Sequence, residues 1–248
     1  MVNEGMFKTI FGGKVCKSKE MGFTIFGISN GSTLPFSDIY LPKLWSMKNA
    51  SLASSNLIRT NIESKIGQPL SDEEFTFFTE LLHVQTIAPK EILIQEGDRC
   101  TSLYFVQKGA LCSYLADDKG DAHVVQFALE GYWISDLYSF FSGKPALFSV
   151  EALEACELLV LDKAGFQTAC DRLHKFERFF RILIQNAYVN AQYRIARTFS
   201  AEAEQRYCDL VEQHPDIVQR VPQYLIASYL GVKPQSLSRI RKQIFERR

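Results

Sequence analysis

Apolar residues recur along this chain with two different periods, and the switch between them divides it. From Asn56 the spacing is helical, with Leu57, Ile58, Ile62 and Ile66 on one stripe. Pro69, Leu70 and Ser71 then read as a stop and a new N-cap, because acids follow at Glu73 and Glu74. Phe75, Phe78, Leu81 and Leu82 continue as a second amphipathic helix. Between Ile87 and Leu161 the period shortens to two, in short runs rich in Val, Ile, Phe and Tyr. Turn residues at 96–98, 108–109, 117–121, 130–131 and 142–145 separate these runs. Ile92 with Ile94, Leu103 with Phe105, and Val125 with Phe127 and Leu129 sit two apart, so each set should share a sheet face. A small β-barrel or roll is predicted.

Helical spacing returns afterwards. Residues 166–214 contain neither Gly nor Pro, and Phe176, Phe180, Ile184, Ala187, Ala191 and Ile195 repeat at three and four. One long helix is predicted, and its seam outruns the width of one barrel, which favours a two-helix dimer contact. Ser200 ahead of Glu202 and Glu204 predicts a break and an N-cap. Two short helices close the chain, Pro222 to Leu230 and Pro234 onward, joined by Gly231, Val232 and Lys233. Residues 1–55 mix Gly, Ser, Asn and Lys without either period and are expected to form a poorly ordered tail. A chain starting at Met47 would lose nothing assignable to a fold, which leaves open whether residues 1–46 belong to the working protein.

Composition sharpens this picture in three places. At 248 residues and 46% hydrophobic, the chain can bury the cores of two modest domains. Its 28 basic and 28 acidic residues cancel, yet residues 220–248 hold seven Lys or Arg against the single acid Glu246. Such asymmetry fits a polyanion-binding end joined to something else, although a solvated terminal helix would look the same. The six cysteines, Cys16, Cys100, Cys112, Cys156, Cys170 and Cys208, lack the short pairings of metal or iron-sulfur sites and read as reduced, mostly buried thiols. There is no signal-like apolar run and no stretch of about 20 apolar residues, so a cytoplasmic location is expected.

Turning each residue by about 100 degrees puts Leu237, Ile240 and Ile244 on one face of the last helix and Gln235, Ser238, Arg239 and Lys242 on the other. A helix-turn-helix sets such a face in the DNA major groove, where Arg reads guanine, Gln reads adenine and Ser can approach either. Tyr229, Lys233, Arg241, Arg247 and Arg248 are candidates for phosphate contacts, which set register without specifying bases. A plain helical subdomain with a Gly turn would show the same pattern.

The order of parts, a strand-rich roll, a seamed helix and a C-terminal helix-turn-helix, resembles the Crp/Fnr family of bacterial transcription regulators over residues 55–248. The stretch from Ile92 to Leu137 carries the resemblance through Gly97, Gly109 and Gly131, which fall at the family's turn glycines. The segment from Ala227 to Lys242 is similar to the family's recognition segment, with Arg239 at the base-reading arginine and Gln235 where many members carry glutamate. The implied fold is α+β: a cyclic-nucleotide-binding-like β-roll of the double-stranded β-helix type over residues 56–170, a dimerisation helix over 171–199, and a winged-helix-like helix-turn-helix domain over 200–248. The implied partners are double-stranded DNA and a second copy of the chain through 171–199, with RNA polymerase a further candidate and no membrane. Gln235, Ser236, Ser238, Arg239 and Lys242, with Lys233 and Arg241, are the implied DNA-binding residues.

The family's cyclic-AMP-binding members place a glutamate on the ribose and an arginine on the cyclic phosphate. Here Asp136 stands at the glutamate position, and no arginine occurs between Ser135 and Glu151. Lys144 offers one contact where a guanidinium offers two, so weak or no cyclic AMP binding is expected. Trp133, Asp136, Leu137 and Lys144 are the candidate ligand-pocket residues. Trp133, Tyr138, Phe140, Phe141 and Phe148 could line a pocket for another effector, although aromatics in a barrel more often form core. The histidines His83, His123, His174 and His214 show no haem or metal arrangement, and no cofactor or metal site is identified. An enzyme of the cupin type would need several His on adjacent strands, and His123 stands alone there. A regulatory or scaffolding roll that never touches DNA is the alternative reading.

Overall fold

Helix α1 (Asn56–Ile66) buries Ile58, Ile62 and Ile66, while Leu57 at its first turn is exposed. The computed structural model describes residues 16–17, 23–24, 56–117 and 120–246. Two compact units are formed, Met1–Ser54 and Ser55–Arg248. In the first, β1 (Cys16–Lys17) pairs antiparallel with β2 (Phe23–Thr24). The tail expected over the rest of 1–55 lies outside the described residues, as do Arg247 and Arg248.

In the second unit, the N-cap expected at Ser71 opens helix α2 (Asp72–Glu80). Its hydroxyl accepts from the Glu74 amide at 3.1 Å, and the Glu74 carboxylate accepts from the Ser71 amide at 2.8 Å. This reciprocal box satisfies two otherwise orphaned donors and contributes roughly 1 kcal/mol. The helix stops before Leu81 and Leu82, because Leu82 opens a strand instead of continuing the apolar stripe.

Eight strands follow: β3 (Leu82–Ile87), β4 (Ile92–Ile94), β5 (Ser102–Lys108), β6 (Leu111–Ala116), β7 (Ala122–Ala128), β8 (Trp133–Ile134), β9 (Ser149–Ala152) and β10 (Cys156–Asp162). They form two four-stranded antiparallel sheets, β3-β10-β5-β8 and β4-β9-β6-β7. Val106, Leu111, Ile134, Val150, Leu158 and Val160 fill the space between them. Strand β10 buries Cys156, Leu158, Leu159, Val160 and Leu161 in spite of strand alternation because its other face is covered as well. Leu159 sits in a cross-strand row with Val84, Phe105 and Trp133, and Trp133 packs on two phenylalanines of a later helix.

Two departures from strict alternation have one cause. Val124, not Val125, shares burial with Phe127 and Leu129, because β7 carries an extra residue between the pairs Val124–Tyr114 and Gln126–Ser113. Ile92 is likewise exposed while Ile94 is buried, across a register shift in β4. A bulge moves every later side chain to the other face. At the β5–β6 turn only glycine fits: Gly109 has φ +103°, and a Cβ there would lie 2.8 Å from the Ala155 carbonyl oxygen.

Helices α3 (Leu137–Ser142), α4 (Lys163–Arg172) and α5 (His174–Ser200) come next. The uninterrupted helix expected from Phe166 is broken at Leu173, which adopts an extended conformation (φ −137°, ψ 112°) without Gly or Pro. The first turns of α5 bury Phe176, Phe179 and Phe180 against Phe78, Phe166 and Trp133. Such buried rings contribute about 1.5–3 kcal/mol each. From Ala187 onward the predicted seam is exposed at Ala187, Ala191 and Ile195, and Tyr188, Val189, Tyr193 and Phe199, outside that seam, are open to solvent as well.

Ser200 is the last residue of α5, not an N-cap. The next helix, α6 (Ala203–Gln213), is capped at Glu202 without a side-chain bond, since the backbone stays helical through Ser200 and turns at Ala201. Helices α7 (Pro215–Arg220), α8 (Gln223–Tyr229) and α9 (Pro234–Glu246) complete the fold. Gly231, at φ +66°, ends α8 as expected, and α7 has no counterpart in the sequence reading. Among the described residues no helix is long and apolar enough to cross a membrane.

Candidate functional site

Helix α9 buries Leu237 and Ile240 and leaves Gln235, Ser238, Arg239 and Lys242 exposed on its other side. Lys233 and Arg241 are exposed, and Ser236 is half-buried in the first turn. Six of the seven candidate DNA contacts are thus solvent-facing on one short helix and the turn before it. Lys242 makes one exposed pair with Glu246 at 3.7 Å, too weak to occupy it. Tyr229 lies elsewhere: its ring packs on Phe127 at 5.3 Å and lies under the Arg194 guanidinium at 4.8 Å. It belongs to a contact with the roll, not to the open basic face.

That contact is extensive. Val124, Phe127 and Leu129 from the roll share one apolar core with Tyr207, Leu225, Ile226, Leu237 and Ile240 of the helical end. Around it, Arg220 reaches Glu130 with two hydrogen bonds, at 2.6 and 2.9 Å, and also pairs with Glu154. The Ser228 hydroxyl accepts from the Val124 amide at 2.9 Å and donates to the Ala122 carbonyl at 2.6 Å. Arg194 donates to the Val125 carbonyl, and the Tyr132 hydroxyl meets His214 Nδ1 at 3.2 Å. Partners 66 to 106 residues apart leave no local pattern, so sequence reasoning missed this interface.

Arg220 is the main reason that the Glu130 carboxyl is held down at about 2, with the Gly109 amide assisting. A carboxyl lowered in the folded state stabilises it above its ordinary value near 4.5, and that contribution disappears as pH falls through about 2. Acid titration followed by amide hydrogen exchange at β7 should therefore show the interface unchanged at pH 5 and weakened between pH 4.5 and 2.

The second candidate region is the segment after β8. Asp136 is 2% exposed, and its carboxylate accepts from the backbone amides of Ser139 (2.7 Å), Leu147 (2.8 Å) and Phe148 (3.0 Å). Those bonds cap α3 and fold the 143–148 turn over it. The Ser139 hydroxyl ties the Cys100 amide to the Lys144 carbonyl, and Ser149 accepts from the Glu96 amide. Trp133 donates its indole N–H to Asn61 at 3.2 Å and packs on Phe105, Phe179 and Phe180, on the side of the helices. Leu137 is half-buried at the start of α3, and the Lys144 side chain is exposed. Phe140 is fully buried and packs edge-on against Phe141 and Phe166. Of the four candidate pocket residues, Trp133 thus faces the helices, Asp136 is bonded to the 143–148 turn, and Lys144 is exposed.

Among the five cysteines whose side chains are described, Cys100, Cys112 and Cys156 are buried. Burial, reinforced by Glu151, pushes the Cys112 thiol up to about 12, and Cys170 is raised to about 11. The thiolate is the reactive form. A thiol-directed reagent at pH 8 should leave Cys100, Cys112 and Cys156 unmodified in the native protein and label all three after denaturation.

A two-sheet roll with flanking helices, followed by a long helix, defines a cyclic-nucleotide-binding fold, here joined to a C-terminal helix-turn-helix. Residues 84–173 match the cyclic nucleotide-binding domain family. The chain is 24% identical over 192 residues, 72% of its length and 90% of the relative's, to the cAMP-activated global transcriptional regulator CRP of Salmonella typhimurium. It is 25% identical over 188 residues, 66% and 83% of the two lengths, to the cAMP-activated global transcriptional regulator Vfr of Pseudomonas aeruginosa. In fold it is similar to FixK2 from Bradyrhizobium japonicum, with a TM-score of 0.58 and 16% identity over 67% of this chain and 85% of that one. The chain is thus similar, over most of its length, to transcription regulators of the Crp/Fnr type, and its roll matches the cyclic nucleotide-binding domain.

Proposed function

We propose that the protein is a homodimeric, sequence-specific DNA-binding regulator whose roll does not take cyclic AMP in the way the relatives' names imply. The observation that carries the DNA reading is the exposed α9 face, where Gln235, Ser238, Arg239 and Lys242 stand together opposite the buried Leu237 and Ile240. Arg239 reads a base there, while Lys233 and Arg241 hold phosphates. The dimer contact runs through residues 171–199, a reading supported by the exposed seam residues Ala187, Ala191 and Ile195, and it sets two recognition helices about one DNA turn apart.

Two features support a roll without cyclic AMP. The carboxylate at position 136 is already spent on three backbone amides, which leaves little for a ribose. The cation of the segment, Lys144, is a single exposed ammonium where a cyclic phosphate calls for a bidentate donor. A fluorescent cyclic AMP analogue should accordingly show no saturable binding at micromolar concentration.

The test of the DNA reading is selection from sheared genomic DNA of the source organism by the purified full chain, without added effector, beside Arg239→Ala. A two-fold symmetric motif that the variant loses supports a dimeric regulator. DNA retention that is flat in sequence and weak in salt dependence would favour the scaffolding roll, because phosphate neutralisation gives a slope of about 0.9 per contact.

A further inference from the structure

We propose that Arg220 and Ser228 are positioning residues for DNA recognition: they latch the helix-turn-helix onto the roll in the pose that presents α9. This rests on the DNA-binding reading above.

Strand β7 is an edge strand, last in the order β4-β9-β6-β7, so its outer amides and carbonyls have no neighbouring strand. Ser228, on α8, takes one of each, accepting from Val124 and donating to Ala122. A single hydroxyl thereby fixes α8 along the strand axis as well as against it. Sliding by one residue would present the hydroxyl with groups that point toward β6 instead.

Arg220 fixes the other end. It lies three residues before α8 begins at Gln223, and it is held by Glu130 from the turn after β7 and by Glu154 from the turn after β9. One guanidinium between two carboxylates does more than attract. Without it the two acids face each other uncompensated, so the docked arrangement loses a bond and gains a repulsion. Between these two anchors lies the shared apolar core that includes Val124, Phe127, Leu225 and Ile226.

The docked arrangement leaves the α9 face open. Gln235, Ser238, Arg239 and Lys242 are all exposed while α8 sits on the roll. A latch that covered these residues would be inhibitory; one that holds their scaffold and leaves them free presets them. Preset geometry removes the ordering cost that binding would otherwise carry.

The test uses the full chain and its Arg220→Gln, Arg220→Lys and Ser228→Ala variants, with two readouts. Hydrogen exchange without DNA reports the latch: exchange of the Val124 amide should rise about tenfold in Ser228→Ala, the range expected when a buried donor loses its partner, and less in Arg220→Lys than in Arg220→Gln. Affinity for the selected fragment against random DNA reports its consequence: about tenfold loss on the specific fragment, with binding to random DNA unchanged. Unchanged exchange at Val124 in Ser228→Ala overturns the latch, whatever happens to Arg220→Gln. Faster exchange with unchanged or tighter specific binding overturns the presetting role. If the parent chain selects no DNA and exchange responds as described, the latch stands and the DNA-binding reading falls.

Discussion

Replacing Asp136 with Ala is expected to cost the fold about 3 kcal/mol, because three backbone amides lose their acceptor at once and each orphaned group costs on the order of 1–3 kcal/mol. The Leu147 amide is the least expensive of the three, since that residue is exposed and water can reach it. Those of Ser139 and Phe148 lie in buried and half-buried residues. Asp136→Asn keeps one acceptor oxygen and should cost roughly half as much. Urea unfolding followed by circular dichroism measures both, with the midpoint falling and the slope unchanged. A loss under about 1 kcal/mol for the alanine variant would mean that the carboxylate is not what folds the 143–148 turn. It would also reopen position 136 as a ligand group.

The second large effect is at Arg239. Arg239→Ala should weaken binding to the selected DNA by about 1–3 kcal/mol and relax the preference at one base pair of each half-site. Lys233→Ala should act differently, weakening all sequences alike and lowering the salt slope by about one. Competition binding with single-base variants of the fragment separates the two. Equal losses on every sequence for Arg239→Ala would make it a phosphate contact and move base reading to Gln235 or Ser238.

Much of the fold was legible because local chemistry dictated it. Ser71 with Glu74, and Gly231 before Pro234, are short-range signals whose donors, acceptors and φ angles are all supplied within a few residues. The roll was legible as a set of alternating runs, but its bulges were not. An extra residue at Val125 satisfies the same local pattern in either register, and only the partner strand decides. The break at Leu173 was hidden for a related reason: no Gly or Pro marks it, and packing of Phe176 and Phe180 determines where α5 turns away.

The candidate DNA face was legible, since helical rotation alone separates Leu237 and Ile240 from Arg239. The sensor segment was legible in identity and not in use. Asp136 reads as a ligand group by position, but the structure spends it on amides up to 12 residues further along the chain. Tyr229 was drawn into the basic face by its neighbours in sequence. Its actual neighbours, Phe127 and Arg194, come from β7 and α5.

The free side of β7 carries one more consequence. Unpaired strand edges invite pairing with the edge of another molecule, and proteins commonly guard them with charge, bulges or an overlying helix. Here the guard is α8 itself, with Ser228 seated on the edge and the Val125 bulge beneath it. Any excursion that frees the helical end therefore also bares an aggregation-competent strand. Such excursions have to stay brief if copies of the chain are not to pair edge to edge, so the same hydroxyl that seats α8 also guards the strand.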